Sequence, residues 1–412
     1  MLIAFVAINV FVYIFAVLTY CIPADSLRDN ARESMEQLED EGTYPEYLLG
    51  GYQQNYFFDN FTDTVIINAA ITREYASPFE NALTNAFSVD PSAKELYYGD
   101  IENLRCVVDG EVCTHFEYTR YFSVFTSVVR ILLLALNIGQ IRFLIWGLAL
   151  ALLVVTAGLI QKKLGRPVAV SFVVMCIMTG LPLTVQCLAY ATDIVMMYGL
   201  CIMVLLADGN EKFEKNEPLI FFIIGMVTYV LNYWSMPIYS FCMPMMLMIM
   251  MRATRNVSFK SNAVFFVRDG VLWSLGLVVE LLWRQLLNIT LLQESTVWTQ
   301  LLTRITGDSA AFTNRGMMLR YNFYGYFHSI NKVLMILTCV YLIMALIFKM
   351  KKGKAKGLET ILLAVIMLVP IAWLLIFAEH AGHGYDKYQL AVMVMGLFSV
   401  LSPLPVGGKQ DN

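Results

Sequence analysis

Long apolar runs separated by short charged turns fill most of the chain. A membrane-spanning helix needs about 20 mainly apolar residues. The pattern predicts ten such spans: Leu2–Tyr20, Ile141–Ile160, Val168–Leu188, Ala189–Leu206, Leu219–Trp234, Met236–Met251, Gly270–Leu291, Val333–Phe348, Leu358–Phe377 and Leu390–Leu404. The runs are continuous rather than alternating, which argues against a transmembrane β-barrel. The first run lacks the basic flank and small-residue cleavage site of a secretory signal, so it reads as a retained helix. The missing flank also leaves room for native residues before Met1.

One stretch breaks the pattern. Residues 22–118 form a large polar segment holding 19 of the chain's 32 acidic residues against five bases. Helix-like stretches at Ala24–Glu41 and Asp63–Glu74, with many Tyr and Phe, mark it as folded rather than a linker. Residues 119–140 are mostly apolar but interrupted by Arg120 and Arg130. They predict an interfacial helix that continues into a true span. The expected organisation is a first transmembrane helix (1–21), a large non-cytoplasmic loop (22–118) and the interfacial helix (119–140). A central transmembrane bundle (141–291), a second outer loop (292–331) and C-terminal transmembrane helices (332–412) follow.

Composition agrees with an all-α polytopic membrane protein. The 412 residues are 58% hydrophobic and 15% charged, with mean hydropathy +0.61, whereas soluble domains carry about 25% charge. The net charge of −3 names no partner, and no basic stripe suggests nucleic acid. The placement of charge says more. Lys162, Lys163 and Arg166 fall in one turn, Arg252, Arg255, Lys260 and Arg268 in another, and Lys349, Lys351, Lys352, Lys354 and Lys356 in a third. With ten spans all three lie on one side, as does the mixed turn Asp208–Glu217. The positive-inside rule makes that side cytoplasmic, with both termini. The acidic loop and all four histidines fall on the opposite face.

Candidate chemistry gathers on that outer face. Asp59 and Asp63 sit among aromatics, four residues apart. On a helix they share a face, and one could act as a general base; either could instead cap a helix. His380 and His383 follow Glu379, but the glycines between and after them disfavour a helix-borne metal site. Phosphate or sugar binding and interfacial packing are the other readings. Arg304, Arg315 and Arg320 make residues 292–331 unusually basic for an outer loop, which suits an anionic lipid phosphate, acidic neighbours or headgroups. Glu280 and Arg284 lie one turn apart inside a span, as an ion pair or as a ligand contact through Arg284. Asp193 is a similar outer-end candidate. Cys106 and Cys113 flank a polar turn and are a candidate disulfide; the other six cysteines read as small apolar residues. No Walker loop, Rossmann fingerprint, HExxH or GxSxG motif occurs in a supporting context. No cofactor is indicated, and a divalent metal finds no ligand pattern.

The layout resembles the GT-C superfamily of membrane glycosyltransferases. A first helix is followed at once by a large outer loop with an acidic pair, then a surface-lying helix, then many spans. Phe61-Thr62-Asp63-Thr64-Val65-Ile66-Ile67-Asn68, Arg120-Tyr121-Phe122 and Glu379-His380-Ala381-Gly382-His383 resemble segments of bacterial enzymes of this type. The resemblance implies a plasma-membrane enzyme with a polyprenyl-phosphate-linked sugar donor and a cell-envelope glycan or lipid acceptor. It implies transfer on the outer face, with Asp59 or Asp63 as base. Arg315, Arg320, Lys387, His380 and His383 are implied on the phosphate side. The acidic pair is more widely spaced, and later, than the adjacent acids or Asp-X-Asp of many such enzymes. Two other classes fit the same residues: a transporter or flippase of lipid-linked glycan, and a non-catalytic envelope assembly subunit.

Overall fold

The computed structural model describes residues 1–45, 58–73, 77–92, 100–119, 121–122, 124–231, 235–292, 298, 302, 316, 320, 329–351, 359–376 and 391–403. These residues are almost wholly helical. Helix α1 (Leu2–Tyr20) leads into a folded segment. That segment holds a 3-10 turn (Ala24–Leu27), α2 (Arg28–Glu41), α3 (Asn60–Ile71), α4 (Pro78–Thr84), β1 (Phe87–Val89), α5 (Asp100–Asp109), β2 (Thr114–Phe116) and α6 (Val124–Leu132). A bundle follows: α7 (Ile138–Leu164), α8 (Arg166–Met178), α9 (Leu181–Thr184), α10 (Leu188–Ala207), α11 (Glu211–Leu231), α12 (Tyr239–Thr254) and α13 (Phe259–Leu291). The described C-terminal helices are α14 (Ser329–Lys351), α15 (Glu359–Ile376) and α16 (Ala391–Leu401).

Among the described residues, four helices are long and apolar enough to cross a membrane: Leu2–Tyr20, Ile138–Leu164, Leu188–Ala207 and Asn331–Lys351. Their outer faces are apolar too. Ile3 is 86% and Phe143 71% exposed, and continuous apolar faces of this kind are stable against hydrocarbon rather than water.

Contacts at the helix ends fix the direction of each element. Tyr20, at the end of α1, donates to the Ala69 carbonyl of the folded segment. Arg142, at the start of α7, binds Asp63, and the α7 end reaches the α10–α11 turn through Lys163 and Asp208 (3.3 Å). Helix α10 starts against α3. Glu217 of α11 pairs with Arg252 of α12 and Arg268 of α13, while Asn288 of α13 returns to Thr119. So α1, α8, α11 and α13 run toward the folded segment, and α7, α10 and α12 run away from it. The two basic turns around Lys163 and Arg252–Arg255, and the mixed turn, therefore meet at one end of the bundle, as the charge pattern requires.

The folded segment has its own core. Leu27, Ala31, Met35 and Leu38 of the 3-10 turn and α2 pack on Ile66, Ile67 and Ala70 of α3 and on Leu104 and Val108 of α5. The same cluster runs on through Phe125, Val129, Ile138, Ile141 and Leu188, so the loop is continuous with the ends of the bundle. Strands β1 and β2 pair antiparallel, Ser88 opposite His115. The sequence pattern did not anticipate this short pair. Asn68 closes both backbone groups of Ser88 with its side chain (2.9 and 2.8 Å) and ties the strands to α3. Cys106 and Cys113 form a disulfide, with Cα atoms 6.2 Å apart, across the turn from α5 to β2.

Several boundaries differ from expectation. The helix expected over 119–140 is a short α6 over Val124–Leu132. Asn137 then caps a new helix with a reciprocal capping box to Gln140, so Gln140 belongs to α7. The span expected over Val168–Leu188 stops at Met178, because Gly180 takes a left-handed φ of 69° and Pro182 opens α9. Helix α13 starts eleven residues before the expected Gly270, with Ser258 as its cap (3.3 Å to the Ser261 amide). Lys260 and Arg268 thus lie on a helix rather than in a turn.

Helices α11 and α13 pack closest where each carries glycine. A Cβ on Gly225 would lie 2.0 Å from the Trp273 carbonyl oxygen, and one on Gly276 would lie 2.1 Å from that of Phe222. Backbone cannot yield as a side-chain tip can. Gly225→Ala and Gly276→Ala are each expected to destabilise the detergent-purified protein by about 3 kcal/mol. Gly147→Ala, with open space at its Cβ, should leave the unfolding midpoint unchanged. Equal midpoints for all three would refute the close packing.

Candidate functional site

Asp59 sits just before α3 and caps it. Its carboxylate accepts from the Thr62 amide (3.1 Å) and the Thr62 hydroxyl (2.6 Å). This is the capping role the sequence allowed, and it places Asp59 at the helix end rather than on a shared helical face with Asp63. The Asp59 amide donates to Cys187 Sγ (3.4 Å).

Asp63, one turn further, is fully buried. One oxygen accepts from Arg142 Nη2 (2.7 Å), and the other from the Leu188 amide (2.8 Å). Helix α10 starts at Cys187 with no capping side chain of its own. Asp63 of α3 supplies the missing acceptor and a negative charge where the helix dipole is positive. Asp193, in the second turn of α10, accepts from the Met236 amide (3.2 Å). Three of the expected acids thus gather around the first two turns of α10.

Arg142 organises this corner. Besides Asp63 it donates to Glu41 (2.7 Å) and to Asn60 Oδ1 (2.6 Å), and it lies over the Phe58 ring at 5.1 Å. Glu41 also accepts from Gln37 (2.7 Å) and Asn60 (3.0 Å). Burial pushes the Asp63 carboxyl above the ordinary carboxylate range, although Arg142 and the Leu188 and Ala189 amides pull it back. Partial burial would raise Glu41 as well. There the hydrogen bonds from Gln37, Arg142 and Asn60 outweigh it and hold the carboxyl below its usual value.

Glu280 and Arg284 are both fully buried but form no ion pair, which corrects the pairing expected from their spacing. Glu280 accepts from the Asn9 amide of α1 at 3.0 and 3.1 Å. Arg284 turns toward the folded segment. It donates from Nε to the Thr119 carbonyl (2.7 Å) and from Nη2 to the Leu83 carbonyl at the end of α4 (2.6 Å). Asn288 adds a bond to Thr119 (3.0 Å).

Arg130 was not among the residues picked out for chemistry. It is fully buried, stacks on Tyr20 at 4.9 Å, and donates to the carbonyls of Thr19 (2.9 Å), Ile22 (2.5 Å) and Ala70. These carbonyls lie at or just past the ends of α1 and α3, where the helix itself supplies no donor. The one available signal was a lone charge in an apolar run.

Arg320 is exposed. Arg304, Arg315, His380, His383 and Lys387 lie outside the described residues. Among the described residues no group of three His, Cys, Asp or Glu is placed to hold a metal. The asparagines of both Asn-X-Thr sequons, Asn60 and Asn288, are buried and hydrogen-bonded, so neither is presented for glycosylation. In comparisons with protein-family models, curated proteins and solved structures, the chain matches none.

Removing one partner of a buried ion pair strands the other's charge. Asp63→Ala is expected to cost about 3–5 kcal/mol, whereas Asp59→Ala, which removes a cap, should cost about 1 kcal/mol. Denaturant unfolding in detergent reads both. Similar losses would contradict the distinct roles assigned to the two carboxylates.

Proposed function

We propose that this chain is an integral membrane glycosyltransferase of the GT-C kind. It moves a sugar from a polyprenyl-phosphate donor to a cell-envelope glycan or lipid. Ten helices cross the bilayer: α1, α7, α8 and α10–α16. The folded segment and the N-terminal end of α10 face away from the cytoplasm, and both termini lie inside. The observation that carries the reading is the gathering of Asp59, Asp63 and Asp193 at the start of α10. A folded acidic loop, fused to the helix ends, delivers Asp59 and Asp63 beside Asp193 of α10, at the level where a lipid-linked donor would present its headgroup.

Of the expected bases, Asp63 is committed to Arg142 and to the α10 amides, so Asp59 is assigned the role. Its carboxylate takes the proton of the acceptor hydroxyl. The hydroxyl oxygen attacks the anomeric carbon, and the bond to the donor phosphate breaks with its electron pair on the phosphate. Arg315, Arg320, His380, His383 and Lys387 are assigned to the leaving phosphate on the sequence resemblance.

Asn is as good a helix cap as Asp, so Asp59→Asn removes the charge and leaves the fold intact. In proteoliposomes given a labelled polyprenyl-phosphate sugar, the wild type is expected to form a new glycosidic bond. Asp59→Asn should be slowed at least about 100-fold with an unchanged unfolding midpoint. Full turnover in that variant would remove Asp59 as base. Transfer of intact labelled lipid between leaflets, with no bond formed, would replace the reading with transport.

A further inference from the structure

Helices α1 and α13 share a polar contact that the transferase reading leaves unused. Phe5 packs edge-on against Trp283 (ring centroids 5.7 Å), and Asn9 of α1 meets Glu280 of α13. Asn9 lies eleven residues before Tyr20 and Glu280 eleven before Leu291, about 17 Å along each helix at 1.5 Å per residue. With α1 and α13 as spans, the contact sits deep in the hydrocarbon layer.

Glu280 is fully buried, and among the described residues its oxygens take bonds from Asn9 Nδ2 alone (3.0 and 3.1 Å). Arg284, one turn away, donates to the carbonyls of Thr119 (2.7 Å) and Leu83 (2.6 Å) rather than to Glu280. An ionised carboxylate in hydrocarbon with one neutral donor is costly enough that the group takes up a proton. Asn9 shows the complement of that proton. One of its N–H groups donates to the Phe5 carbonyl (3.1 Å), and the other spans the Glu280 oxygens. Turning the amide over would lose all three contacts, so its orientation is fixed. Asn9 Oδ1 is then left buried with no donor. Buried acceptors are rarely left so, and the O–H of a carboxylic acid is the donor that the pair lacks. The other titratable groups at the seam are Tyr13 of α1 and Arg284 of α13, which meet each other, and Tyr229 of α11 in the field of both. Arg130 of α6 is committed to the Thr19, Ile22 and Ala70 carbonyls, and Glu80 of α4 is exposed.

We propose that Glu280 is a proton-binding site within the membrane, whose bound proton bonds to Asn9 Oδ1 and leaves Arg284 free to hold the folded segment. Acid and amide then exchange two hydrogen bonds, and no negative charge is buried. When the proton leaves for bulk water, the nearest cation to the carboxylate along α13 is Arg284, one helical turn away. Pairing with it draws the guanidinium off Thr119 and Leu83, the carbonyls through which α13 grips the segment. The proton thus decides whether Arg284 serves the loop or Glu280. The proposal goes beyond the transferase reading and does not depend on it.

Glu280→Gln copies the protonated side chain, since its amide both donates to and accepts from Asn9. The full chain in detergent would be unfolded by heat across a range of pH. The contribution of the proton is complete below the ordinary glutamate value of about 4.3 and is lost as the pH rises. Glu280→Gln is therefore expected to match the wild type near that value and to unfold at increasingly higher temperature than the wild type above it. The infrared spectrum of wild type minus Glu280→Gln at neutral pH should contain the carbonyl stretch of a protonated carboxyl. Hydrogen exchange over residues 78–89 and 114–119, corrected for its intrinsic pH dependence, reads the grip on the loop. Protection there should fall in the wild type at high pH by about tenfold, as for a lost charge-assisted hydrogen bond, and should hold in Glu280→Gln. The site is overturned if Glu280→Gln unfolds below the wild type or fails to fold at neutral pH, which would mark an ionised, stabilising carboxylate. A carboxylate band in the infrared difference, or protection that follows pH alike in both proteins, would equally overturn it.

Discussion

A guanidinium taken out of water loses several kcal/mol of hydration, and only a dense set of acceptors offsets that loss. Arg142 finds such a set in Asp63, Glu41, Asn60 and the face of Phe58. These partners come from α2, α3 and the residues just before α3, while Arg142 itself belongs to α7. The ion pair therefore joins the polar segment to the apolar helices. Asp63 extends the joint by capping α10, so one carboxylate fixes the positions of α3, α7 and α10 together. The position of Asp59, one turn before Asp63, follows from the same joint.

Arg130 and Arg284 solve the same problem with carbonyls instead of carboxylates. A helix that ends against protein rather than water leaves carbonyl oxygens without donors. An arginine from another element can serve several at once through its forked geometry. Arg130 gathers the ends of α1 and α3, and Arg284 serves the end of α4 and Thr119. The far end of the bundle uses ordinary ion pairs. Lys163, Arg252, Arg255 and Arg268 meet Asp208, Glu214, Glu217 and Asp269 there, four cations against four anions. The two ends thus differ in kind. One is a balanced network of cations and carboxylates, and the other is a set of buried cations, Arg130 and Arg284 committed to backbone carbonyls and Arg142 to carboxylates.

How much of this could be read from the sequence depends on the distance over which each cause acts. Helix existence and direction were legible, because apolar run length and turn charge are local. The meeting of Lys163, Asp208 and Arg255 bears out the shared end assigned to their turns. The Cys106–Cys113 pair was legible because seven residues separate them. The Glu280–Arg284 pairing failed for the opposite reason. Helical spacing makes the two neighbours, but Asn9, 271 residues away in sequence, binds the carboxylate first. The Asp63–Arg142 joint and the cap on α10 were likewise hidden, since Asp63 is 125 residues from Leu188. Helix starts were displaced where a cap such as Asn137 or Ser258 outweighed the apolar run.

The interior between the two ends bears on where chemistry can happen. Helix α12 is buried at every position from Tyr239 to Met251, six of them methionines. Unbranched thioether side chains fill irregular space well, and they offer a polar substrate few hydrogen bonds. A sugar passing from end to end along α12 would have to displace that packing and then part the charge network beyond it. The loop end presents the opposite situation. Carboxylates are already desolvated there and held by short bonds, so little reorganisation stands between a bound headgroup and the groups that would act on it. Asp63 is already bound on both carboxylate oxygens, by Arg142 and by the Leu188 amide. That commitment, more than proximity to the bilayer, is why the joint is assigned to Asp63 and the proposed base to Asp59.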